Sequence, residues 1–140
     1  MSIQMILLPL FVQVVLTFVL GFWLAALRTP AVRSGEVKPR DIAVREPNWP
    51  KYTLQVGNSY LNQFEAPVLF YVLTILAIVT RQADMLFVAL AWVFVLLRVA
   101  HAYVHVTDNN LSRRGLLFGA SATVLAIMWL IYIARVLLAP

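Results

Sequence analysis

Four apolar stretches, at about residues 3–27, 52–80, 85–106 and 116–138, dominate this sequence. Each has the roughly 20 residues that an α-helix needs to cross a hydrocarbon core of about 30 Å. A closed β-barrel is the other way to satisfy every backbone group in lipid. It requires strands of about 10 residues that alternate strictly between apolar and polar, and the run MILLPLFVQVVLTFVLGFWLAAL does not alternate. The stretches therefore read as four membrane-spanning helices. The expected fold is an all-α, integral membrane four-helix bundle, with residues 1–140 as a single transmembrane domain.

Composition supports this reading. Apolar residues make up 62 % of the chain and charged residues 12 %, against about 45–50 % and about 25 % in soluble domains. A water-soluble enzyme and a disordered chain are both excluded. The absence of cysteine excludes a disulfide scaffold, a thiolate metal site, an iron–sulfur cluster and a cysteine nucleophile. The first stretch has no basic leader and exceeds the ~7–15 apolar residues of a signal peptide, so it reads as a retained span.

The links between spans set the topology. The first is a long polar loop, 28–51, carrying Arg28, Arg33, Lys38, Arg40, Arg45 and Lys51. The second, Arg81 to Asp84, is short enough to force an antiparallel hairpin. The third, Thr107 to Gly115, carries Arg113 and Arg114. Only Arg81 and Arg135 lie on the opposite side, so eight basic residues face two. The positive-inside rule then puts loops one and three in the cytoplasm and both termini outside. The net charge of +5 points to anionic lipid rather than nucleic acid as partner. Without an obvious eukaryotic retention signal, a bacterial inner membrane is the expected location.

Ionisable residues inside a span are costly and mark functional sites by default. Here they are Glu65 in the second span and Arg98 and His101 in the third, with His105 near that span's end. At 1.5 Å per residue, Asn62 lies roughly 15 Å and Glu65 roughly 20 Å from the cytoplasmic side. Arg98 lies roughly 13 Å deep, His101 roughly 9 Å and His105 roughly 3 Å. Arg98, His101 and His105 share one helix face. The expectation is a Glu65–Arg98 ion pair, because a lone charge at that depth is strongly unfavourable. Such a pair serves helix register as well as chemistry. His101 and His105 have metal-ligand spacing, but a metal needs a further ligand, and the chain has no other His and no Cys. Gly115 and Gly119 form a GxxxG pattern that suits close packing within the chain or between subunits. Gln13, Thr17 and Gly21 form a stripe suited to a protein-facing side.

Asn62-Gln-Phe-Glu65-Ala-Pro67 followed by Arg98-Val-Ala-His101-Ala-Tyr-Val-His105, then Arg113-Arg114 before a helix rich in small residues, resembles the MAPEG family: membrane-associated proteins in eicosanoid and glutathione metabolism. The resemblance covers nearly the whole chain. It implies a four-helix bundle assembled as a homotrimer, with glutathione bound between subunits near the cytoplasmic side. It implies that Asn62, Glu65, Arg98 and His101 belong to the glutathione region. His105 falls where the family's prostaglandin synthase has a tyrosine. Arg114 is the best match to the arginine that activates the thiol, with Arg113 the next. Several family enzymes carry arginines where this chain has Leu61 and Asn58, and Gly115 and Phe118 replace a serine and a tyrosine. Arg28 is the residue expected to supply a cation in their place.

A free thiol has a pKa near 8.5, and a guanidinium beside it stabilises the thiolate nucleophile. The resemblance therefore implies a glutathione-dependent transferase or peroxidase acting on lipophilic substrates. The alternative is a non-catalytic lipid-binding or structural subunit of a membrane complex, favoured by Leu61, Asn58, Gly115 and Phe118. A third reading, a proton or ion pathway through Glu65, Arg98 and His101, suffers from the near absence of polar residues in the outer halves of the spans.

Overall fold

The computed structural model describes residues 1–45 and 47–139. The expected architecture is present: among the described residues there are helices and no strands, and four segments are long and apolar enough to cross a membrane. Five helices make up the four spans: α1 (Ile3–Arg33), α2 (Lys51–Asn62), α3 (Ala66–Val79), α4 (Met85–Val106) and α5 (Leu111–Leu138). A short 3₁₀ turn, Pro39–Asp41, lies in the first loop.

Three boundaries differ from the sequence reading, each for a local reason. The first helix runs to Arg33 rather than residue 27, passing through Pro30. It ends where Gly35, at φ +80°, turns the chain so that the Val37 amide donates to the Ala31 carbonyl at 3.0 Å. The last helix begins at Leu111 rather than 116, because Asn110 caps it by accepting from the Arg113 amide at 3.0 Å. Arg113 and Arg114 therefore occupy a helical turn, where a loop was expected.

The second span is not one helix. It breaks between α2 and α3, at the Asn62–Pro67 motif. Pro67 has no amide proton and sits in the first turn of α3, where that loss costs nothing. The amides of Gln63, Phe64 and Glu65 each donate to the carbonyl three residues back, on Tyr60, Leu61 and Asn62. The Ser59 carbonyl accepts instead from Gln63 Nε2 at 2.9 Å. Irregular backbone at membrane depth is tolerated when its freed groups find new partners, as these four groups do.

The interior has two apolar cores. One gathers Ile6, Phe70, Leu73, Phe87, Phe94 and Met128, with the Phe70 and Phe94 rings 4.8 Å apart. The other gathers Leu20, Leu24, Val56, Ala102 and Val106. Along α1, α2–α3 and α4 a polar layer separates them: Gln13, Ser59, Gln63, Arg98 and His101, all buried. At the end opposite the long loop, Asp84 caps α4 by accepting from the Phe87 amide and pairs with Arg135 at 2.7 Å. Arg135 also reaches the Gln82 carbonyl, which ties α5 to the α3–α4 hairpin. Large apolar side chains such as Phe22, Val79, Leu130 and Leu137 face outward, as lipid contact requires.

Candidate polar site at the helix break

The break presents Asn62 toward α4 and leaves Glu65 on the outer side of Asn62. Arg98, fully buried in the third span, donates through Nη2 to the Asn62 side-chain oxygen and to the Asn62 carbonyl at 3.5 Å. Asn62 Nδ2 in turn donates to Glu65 Oε2 at 3.2 Å. The expected Glu65–Arg98 ion pair is thus not direct. Asn62 stands between the two charges, because the break swings Glu65 outward while the last turn of α2 keeps Asn62 beside α4. Glu65 is exposed on the surface of the single chain, and the remaining Arg98 donors, Nε and Nη1, are buried without an acceptor.

His101 and His105 follow on the same face of α4, with ring centroids 5.6 Å apart. Both are buried, and the Nδ1 of each has no partner. The Phe118 ring of α5 lies 6.0 Å from His101. Arg98 and Arg114 both lie within electrostatic reach of the two imidazoles. Arg114 is positioned by the α4–α5 turn: Asn109, at φ 52°, accepts from Arg114 Nη1 at 2.6 Å. Asn and Asp adopt this left-handed conformation more readily than other side chains.

Two of the residues expected at this site stand apart in the single chain. Arg113 points away into an exposed ion pair with Asp108 at 2.8 Å. Arg28 lies over the Trp49 ring at 4.7 Å and lines a cleft with Asn58 and Leu61. Conversely, three contributors were not read as site residues. Gln13 Nε2 donates to Gln63 Oε1 at 2.9 Å across the bundle. Tyr71 lies beside Thr17 and Gln13. Gln55 Nε2 ties α2 to the end of α4 by donating to the His105 and Thr107 carbonyls. The available signal was glutamine inside an apolar span, which seeks a partner across helices.

A family model, the MAPEG family, matches residues 6–134. The chain belongs to the MAPEG family. This MAPEG chain thus has nearly its whole length, including the helix break and the α4 polar face, inside the matched region. Searches of curated proteins and of solved structures found no match.

Proposed function

We propose that this MAPEG protein is a glutathione-dependent transferase or peroxidase, assembled as a homotrimer in a bacterial inner membrane with loops one and three in the cytoplasm. The observation that carries this reading is the Glu65–Asn62–Arg98 chain. It ends in buried guanidinium donors without acceptors and opens through an exposed carboxylate within a membrane span. A carboxylate in that position does not face lipid, since charge inside a bilayer is costly; a neighbouring subunit or a polar ligand is its natural cover. Gly115 and Gly119 support assembly as well, since nothing lies within 4 Å of a Cβ built on either. They do not serve packing within the chain.

The donor set fits a zwitterionic tripeptide. Glu65 suits an ammonium group, and the Arg98 donors, with Asn62, suit a carboxylate. The His101 and His105 rings form the adjoining wall. Arg114, held by Asn109, brings positive charge toward the imidazoles, where it lowers the proton affinity of a sulfhydryl. Glutathione, when bound, supplies the sulfur nucleophile for a lipophilic electrophile or hydroperoxide. The surrounding apolar side chains exclude water and leave a lateral approach for such a substrate.

The non-catalytic reading is favoured by one observation: Arg114 is already engaged by Asn109. Calorimetry with glutathione on the purified, detergent-solubilised protein separates the two readings. Wild type should bind saturably, with an ultraviolet thiolate signal that disappears in Arg114→Ala while binding persists. Absence of binding at millimolar glutathione would overturn the enzyme reading and leave the scaffold reading.

A further inference from the structure

An α-helix leaves its last four carbonyls without partners inside the helix. In α4 these belong to Tyr103, Val104, His105 and Val106. The chain itself answers the first two: the Thr107 amide donates to Tyr103 at 3.1 Å and the Asn109 amide to Val104 at 2.8 Å. The other two are answered from α2. Gln55 Nε2 donates to the His105 carbonyl at 2.8 Å, and the Tyr52 hydroxyl to the Val106 carbonyl at 3.4 Å. Gln55 Nε2 donates again to the Thr107 carbonyl at 3.0 Å, so both of its N–H groups hold one chain end. That end leads directly to Arg114. Thr107, at φ −105° and ψ −109°, leaves the helical region. Asn109, fixed to Val104 through its amide, holds Arg114 Nη1 through its side chain.

We propose that Gln55 is a positioning residue, which clamps the α4–α5 turn to α2 and so fixes Arg114 relative to Asn62 and Glu65. The register of the two helices supports this. Gln55 and Asn62 lie seven residues apart on α2, and their partners His105 and Arg98 lie seven apart on α4. Seven residues are about two turns, or roughly 10 Å of helix, so the two contacts face the same neighbour and pin α2 to α4 at two points. Without Gln55, the strongest remaining polar pin is Asn62–Arg98, and the turn bearing Arg114 can swing about it. The bonds of Gln55 are not needed to satisfy the carbonyls, since water beyond the end of the span would do so. Exchanging a neutral donor for water changes stability little. What the amide adds is location. The chemical consequence, a thiolate stabilised by Arg114, rests on the glutathione reading above; the clamp itself does not.

Two variants of the full chain in detergent test this. Gln55→Met keeps the length of the side chain and removes both donors; Gln55→Lys puts N–H donors back on a flexible stem. The first readout needs no glutathione. Amide hydrogen exchange across residues 107–114 should quicken about tenfold in Gln55→Met, return toward wild type in Gln55→Lys, and stay unchanged at Phe87, whose amide is held by Asp84 at the far end of α4. The second readout is the pH midpoint of the glutathione thiolate absorbance. It should rise by about one pH unit in Gln55→Met, a tenfold change in the ionisation equilibrium, and recover in Gln55→Lys. Unchanged exchange across 107–114 would overturn the clamp, whether or not glutathione binds. Faster exchange at Phe87 as well would mean general loosening and overturn it too. Faster exchange confined to the turn, with an unmoved midpoint, would make Gln55 a purely structural residue and overturn the positioning role. A wild type that forms no thiolate would overturn the glutathione reading instead, and the exchange data would then decide the clamp alone.

Discussion

Asn62 does more for this chain than its modest exposure suggests. It is the acceptor for a fully buried guanidinium and the donor to the one carboxylate of the second span. Asn62→Leu should therefore cost about 2–3 kcal/mol, since a buried charged donor loses its acceptor. Adding Arg98→Met should recover most of that, because no buried charge then stays unpaired. Unfolding free energies of the two variants in micelles, compared with wild type, check both statements. At the other end Arg135 holds the Asp84 carboxyl below the usual carboxylate range, its hydrogen bond to Asp84 being the largest cause. A depressed folded pKa means that this contribution is complete above about pH 3.9 and lost as the pH falls through the folded value. Wild type should lose more stability on acidification through that window than Asp84→Asn, which keeps a capping side chain. Both partners are partly exposed, so the difference is small, and parallel acid titrations of the two proteins measure it. Residue identities at this scale were legible in the sequence. Glu65, Arg98, His101 and His105 stand out as polar groups in apolar runs. Their pairing was not legible, because a helix-long reading of 52–80 aimed Glu65 directly at Arg98 and gave Asn62 no place between them.

At the level of elements the spans were legible by length and hydropathy, but their ends were set by signals too short for hydropathy to register. Asn110 and Gly35 each decide where a helix stops or starts. The break in the second span is also local, since Pro67 needs a first-turn position and the Gln63 side chain replaces a lost backbone donor at Ser59. The contact between α1 and α2 has an equally local test. A Cβ built on Gly21 comes within 3.0 Å of the Tyr60 ring. Gly21→Leu should force the two helices apart at a cost of about 1–3 kcal/mol, and thermal unfolding of the variant beside wild type in the same detergent measures it.

For the whole molecule, the cysteine-free sequence makes topology directly measurable. Lys38→Cys should react with an impermeant maleimide only from the cytoplasmic side, and Gln82→Cys only from the other. The reverse pattern would invert the orientation that the charge count assigns. The two half-helices of the second span carry a consequence at this scale. Glu65, at φ −95° and ψ −112°, lies outside the helical region, so α3 does not continue the winding of α2 and leaves the break out of phase with it. A substitution scan from 51 to 79 should thus show two periodic patterns with a slip between them. The one span addresses one set of neighbours on the side of the long first loop and another on the opposite side.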